Sequence, residues 1–229
     1  MARPGTSSRL VTEGVGRSTA TKGVLVEAAI ETLKAEGFAG ASARAIAGRA
    51  GCNQALIFYH FGSVVSLLLA ALDAVSRSRL ERYSAAVEHV GSPRELAEVA
   101  AEIFREDIDA GYVKVLVEMI AGASSTPGLG AEVALRIAPW KHFAQQIIDA
   151  TLGDSAIGSV IPSSELAYGV VALYLGLELL SHLDGDRAAA LSLFDRAEQL
   201  AVLVETLGVG GIAPAAPGRT NPSVVEGRT

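Results

Sequence analysis

The chain has 229 residues, half of them apolar, which is enough to bury a core in one ordinary domain and a smaller companion and excludes a disordered chain. Aromatics are only 5% and charged residues 19%, with Ala and Leu abundant, a composition that predicts an all-α protein of closely packed helices. A single cysteine, Cys52, excludes an intrachain disulfide and any multi-cysteine metal site and suits a reducing compartment. The net charge of −6 argues against a protein that coats nucleic acid, yet it hides an asymmetry. Residues 1–61 carry Arg3, Arg9, Arg17, Lys22, Lys34, Arg44 and Arg49 against Glu13, Glu27, Glu31 and Glu36, a balance of +3 that leaves −9 for the remainder. A mildly basic end on an acidic body fits a small polyanion-binding module joined to something else.

In chain order, residues 1–20 lack apolar periodicity and predict a flexible tail. They also lack an apolar core of signal-peptide length, so a cytoplasmic location is expected. Val26, Ala29, Ile30 and Leu33 repeat near every 3.6 residues and predict a helix from Thr21 that stops at Gly37. Ser42 can cap a short helix ending at Gly51, and Asn53 a second one to about Phe61. Ser63 opens a longer helix with Leu67, Leu68, Ala71 and Val75 inward. Ser92-Pro93-Arg94-Glu95 pairs a capping box with a proline at the first helical position. Helices are predicted further over about 111–123, 129–152, 164–183 and 186–207, about nine in all, followed by a Gly- and Pro-rich flexible tail at 208–229.

Two short helices joined by Ala50-Gly51-Cys52-Asn53 have the proportions of a helix-turn-helix, with Ile46, Ala50, Cys52 and Ile57 holding the pair together. On spacing alone an ordinary helical hairpin fits as well. The stretch from Thr21 to Leu68, sharpest at Ile46-Ala47 and at Ala50-Gly51-Cys52-Asn53-Gln54-Ala55-Leu56-Ile57-Phe58-Tyr59-His60-Phe61-Gly62-Ser63, resembles the DNA-binding domain of TetR-family transcriptional regulators. The resemblance implies an amino-terminal three-helix DNA-binding domain over 21–66 and a helical ligand-binding and dimerisation domain over 67–207. It places Ser42, Arg44, Gln54, Ala55, Leu56, Tyr59 and His60 toward double-stranded DNA, and Asn53 joins them as a candidate on its chemistry. Their chemistry suits that role. Gln54 can pair bidentately with adenine and Arg44 with guanine or phosphate; Ala55 and Leu56 can meet a thymine methyl; Tyr59, His60, Ser42 and Asn53 can reach phosphates. Three departures stand out: Phe58 where the family usually has tyrosine, Val64-Val65 where it usually has Lys-Glu, and Leu56 in place of a smaller or polar residue. They remove phosphate contacts and predict a shallower salt dependence, unless Arg3, Arg9 or Arg17 compensates from the tail.

Further along, the helix from Leu166 is apolar on every side, but its uncharged run ends at Leu177, too short for the ~20 residues a bilayer requires. No membrane association is therefore expected. Leu193, Ala197, Leu200 and Val204 step by four and three along the last helix, and Leu166, Gly169, Leu173 and Gly176 offer a second apolar and small-residue face. Together they predict a four-helix homodimer interface. Phe104, Tyr112, Met119, Trp140, His142, Phe143, Tyr174 and Glu178 are the candidates for contact with a small apolar or aromatic effector. The resemblance implies a repressor on a palindromic operator, released when the effector changes the spacing of two recognition helices ~34 to 36 Å apart. The alternative is a helical protein-interaction adaptor with a degenerate DNA-binding domain. No catalytic motif is present, the histidines at 60, 89, 142 and 182 have no metal-ligand spacing, and no cofactor is expected.

Overall fold

The computed structural model describes residues 7–152 and 160–206. These form nine helices, and no strand occurs among the described residues: α1 (Ser7–Gly40), α2 (Ala43–Ala50), α3 (Ala55–Phe61), α4 (Val64–Val87), α5 (Pro93–Ala110), α6 (Tyr112–Ala123), α7 (Leu129–Leu152), α8 (Ser163–Asp184) and α9 (Ala188–Thr206). The all-α expectation holds. The predicted tail at 208–229 lies outside the described residues, as do residues 1–6.

The first helix is longer than its periodicity suggested, because α1 begins at Ser7 and not near Thr21. Nothing between Ser7 and Gly40 is a proline, and extending an existing helix costs no new nucleation. The predicted stop at Gly37 is real in a physical sense: its φ of 72° and ψ of −179° break the helix there. Side chains other than glycine's rarely reach that region. The break turns the Phe38 amide outward, where it donates to Glu118 Oε2 of α6 at 2.8 Å.

Local caps fall where side-chain chemistry places them. Ala45 N–H donates to Ser42 Oγ (3.2 Å), Ser66 N–H to Ser63 Oγ (3.0 Å) and Glu95 N–H to Ser92 Oγ (3.2 Å). Glu95 reaches back past the cap and accepts from Gly91 N–H at 2.7 Å. Gly51, at φ 63°, ends α2 in the left-handed region and donates back to Ala47 and Gly48.

One core joins the first helices to α6 and α7. Leu25, Ala29, Leu33, Ile46, Ile57, Leu67, Leu68, Val115, Met119 and Leu129 are buried in it, with Ala50 and Cys52 partly buried against it. Each of the larger side chains contributes about 1.5 to 3 kcal/mol by burial. In the rest of the molecule α9 packs along α5 and α8 along α7, while α4 runs from the helix-turn-helix into this second bundle.

Candidate functional site

Two places in the fold gather functional chemistry. The first is the outer face of the helix-turn-helix. Ile46 and Ile57, both fully buried in the shared core, anchor α2 and α3 there and leave other faces to solvent. Ser42, Arg44, Asn53, Gln54 and Ala55 are exposed, Leu56 and His60 half-buried, and Tyr59 is 81% exposed. The residues selected from the sequence are thus each exposed or half-buried. Asn53 Oδ1 accepts from Ala55 N–H at 2.8 Å, so its capping role is also seen. Nearby cations differ in availability. Lys34 pairs with Glu31 and Arg49 with Glu36, whereas Arg44 has no acidic partner among the described residues. Phe58 is half-exposed beside Tyr59, an apolar ring where a hydroxyl would otherwise face outward.

The second place is a cavity of about 540 Å³ between α4, α5, α6, α7, α8 and α9. Tyr112, Trp140, Phe143 and Tyr174 line it. The other four ligand candidates do not. Met119 is buried in the core shared with α1, because Tyr112 and Leu116 occupy the cavity side of α6 and Val115 and Met119 the opposite side. His142 is exposed, lying off the Trp140, Phe143, Ala144 and Ile147 face of α7. Phe104 sits behind the wall, its ring edge-on to Tyr174 at 5.6 Å and 5.1 Å from Phe194.

Glu178 is likewise behind the wall, in a buried polar cluster that sequence reasoning missed. Arg79 donates through Nε (2.9 Å) and Nη2 (2.6 Å) to Asp107 Oδ2, and through Nη2 to Glu178 Oε1 at 2.7 Å. Arg82 pairs with Asp107 Oδ1 from the rim, and the Tyr83 hydroxyl donates to Asp107. The Tyr83 and Tyr174 hydroxyls lie 2.8 Å apart. Burial pushes the Glu178 carboxyl up to about 7, and Asp107 adds to that push although Arg79 opposes it. Burial likewise raises both tyrosines well beyond their ordinary range. Burial also works against the Arg79 charge, but Glu178, Tyr83 and Asp107 outweigh it and hold the guanidinium protonated. A signal for this cluster existed in the spacing. Leu68, Leu72, Val75, Arg79 and Tyr83 share one face of α4, and Ala167, Val171, Tyr174, Glu178 and Ser181 share one face of α8, so the charges lie on the inner stripes.

Of the predicted dimer residues, Gly169, Leu173, Leu193, Ala197 and Leu200 are exposed, and Leu166 and Gly176 half-buried; the Val204 side chain lies outside the described residues. Tyr168, Leu180 and Leu183 extend the same exposed apolar face. By length and composition the segment Ser163–Leu183 is apolar enough to cross a membrane.

The family profile of the bacterial regulatory proteins, tetR family, matches residues 25–71, the stretch that builds the exposed helix-turn-helix. The chain carries a TetR-family domain. Among curated proteins, uncharacterized HTH-type transcriptional regulators of Mycobacterium bovis and Mycobacterium tuberculosis are 34% identical over 100 residues, 43% of this chain and 51% of theirs. The chain therefore spans about half the length of the curated relatives it matches. Among solved structures, a TetR-family transcriptional regulator from Cytophaga hutchinsonii superposes with a TM-score of 0.64 at 20% identity, covering 81% of this chain and 95% of that one. The regulator FadR from Bacillus subtilis, solved with stearoyl-CoA, gives 0.63 at 14% identity, over 78% of this chain and 96% of its own. These likenesses show that a fold shared with these structures extends beyond the matched segment.

Proposed function

We propose that the protein is a DNA-binding transcriptional regulator, a repressor acting in the cytoplasm as a homodimer on a palindromic operator and released by a small-molecule effector. The observation that carries this reading is the outer face of α2 and α3, where Arg44, Gln54 and Tyr59 are held exposed by the buried Ile46 and Ile57. Phosphate contacts from Ser42, Asn53, Tyr59 and His60 would set the register, and Gln54 with Arg44 would read bases.

The dimer reading rests on the apolar face of α8 and α9. Leu173, Leu180 and Leu193 are each half or more exposed, and a second copy would cover them. A second copy suits this face better than lipid, because Glu178 on α8 is fixed to Arg79 and holds the opposite side of that helix to the bundle. The stretches 21–66 and 67–207 would be the reading and sensing domains, and a coupling of ~1 to 3 kcal/mol between them is a normal size for such a switch.

Gel retardation with the DNA upstream of its own gene, then with genomic fragments, tests the reading. Specific retardation at physiological salt is expected, and the double variant Gln54→Ala with Arg44→Ala should abolish it while sedimentation still reports a dimer. Undiminished retardation by that variant refutes the reading surface, and a monomer at micromolar concentration refutes the dimer.

A further inference from the structure

Resting on the effector reading above, we infer that the cavity takes an uncharged, mainly apolar molecule whose one hydrogen-bonding oxygen meets Tyr174 and Arg79. The lining runs along α4 from Leu72 to Val87 and along α7 from Arg136 to Thr151, roughly 22 Å of helix in each case. Aliphatic and aromatic side chains make most of the wall, so the body of the occupant is apolar.

The polar groups decide the charge. Arg79 and Arg136 are the cations on the wall, and each is already matched: Asp107 pairs with Arg79, with the Glu178 carboxyl accepting beside it at 2.7 Å, and Asp73 at 2.8 Å and Glu132 at 2.9 Å pair with Arg136. A carboxylate would find no unmatched cation there. A protonated amine fares no better, since none of those four acids reaches the cavity wall and Arg79 and Arg136 do. Either sign would be an uncompensated charge among apolar side chains.

Around Tyr83, a donor and an acceptor remain, on Arg79 and Tyr174. The Tyr83 proton goes to Asp107, so the Tyr83 oxygen receives Arg79 Nη2 at 3.3 Å and the Tyr174 hydroxyl at 2.8 Å. With its proton so directed, Tyr174 keeps its oxygen as an acceptor at the wall. Arg79 uses Nε and Nη2 in all of these bonds, and Nη1 takes part in none of them. The Trp140 indole N–H is spent on Ser76 Oγ at 2.7 Å. An alcohol oxygen donates to Tyr174 and accepts from Arg79 without adding charge.

Calorimetry and thermal shift on the full chain, with dodecanol, dodecanoate, dodecylamine and stearoyl-CoA each below its aggregation limit, test this. Dodecanol should bind at least tenfold more tightly than any of the charged three. Tyr174→Phe should weaken dodecanol about tenfold, the loss of one hydrogen bond. Ala144→Trp, which fills the cavity, should remove binding while the variant still melts cooperatively. Equal or tighter binding of a charged probe overturns the inference, as does absence of dodecanol binding or an affinity that Tyr174→Phe leaves unchanged. Occupancy is measured with no DNA present, so its failure leaves the DNA-binding reading standing, and failed DNA retention leaves occupancy standing.

Discussion

Tyr59 and Tyr83 are both helical tyrosines with polar neighbours, yet Tyr59 is 81% exposed and Tyr83 only 7%. Tyr59 has His60 edge-on at 4.8 Å and otherwise faces solvent, while the Tyr83 hydroxyl is bound by Arg79, Asp107 and Tyr174 together. The same contrast separates Arg44, which no acid among the described residues holds, from Arg79, held by two. Polar groups that the fold does not consume are available to a partner; those it consumes fix the shape of the space around them. Substitutions at the two places should therefore fail in different ways.

The largest effect is expected at the buried cluster. Arg79→Met leaves Asp107 and Glu178 without their buried cation and should cost about 3 to 5 kcal/mol, lowering the melting temperature by about 6 to 20 °C. A melting temperature unchanged within error would break the comparison. The next effect is a pH dependence. Glu178 holds its proton up to about 7 in the folded chain, against 4.5 ordinarily, so the folded state binds more protons than the unfolded state across that window. The stability this confers is complete below about 4.5, falls as pH rises toward 7 and is flat above it, a loss on the order of 3 kcal/mol. Glu178→Gln mimics the neutral form and should flatten the profile, so the variant gains on the wild type between pH 5 and pH 8. Parallel melting curves across that interval would refute it.

On the exposed face the expected losses are in binding and not in folding. Gln54→Ala should cost ~1 to 3 kcal/mol of base discrimination, read as relaxed preference at one operator position. Its urea midpoint should move by no more than about 0.5 kcal/mol in stability. A large drop in stability would place Gln54 with the structural residues instead. The smallest effect is at a cap: Ser42→Ala removes the acceptor of Ala45 N–H and should cost about 1 kcal/mol by chemical unfolding, sharpening how far the α2 entry depends on that oxygen.

The helix-turn-helix was legible in the sequence because its signals are local: a capping serine, a glycine that must be left-handed at 51, and apolar residues at fixed offsets. The order of helices and the exposed face of α3 follow from those. The start of α1 was not legible, since helix extension into an aperiodic stretch leaves no boundary residue to find. The cavity was half legible. Aromatic residues marked Tyr112, Trp140, Phe143 and Tyr174, but only tertiary packing separates them from Phe104 and Met119, which are equally apolar and point elsewhere. The Arg79 cluster was hidden because its members are separated by up to 99 residues and each alone reads as a surface charge.

Helix α4 carries Ser63 at its cap beside α3 and Arg79 sixteen residues on, on the cavity wall with its acids behind it. That distance is about 24 Å of unbroken rod. A pivot of roughly five degrees near Arg79 swings the far tip by about 2 Å, several times the roughly 0.5 Å range of a hydrogen bond to a base edge. A guest that shifts the guanidinium slightly thus has a mechanical advantage over the reading head, with no hinge needed along the way.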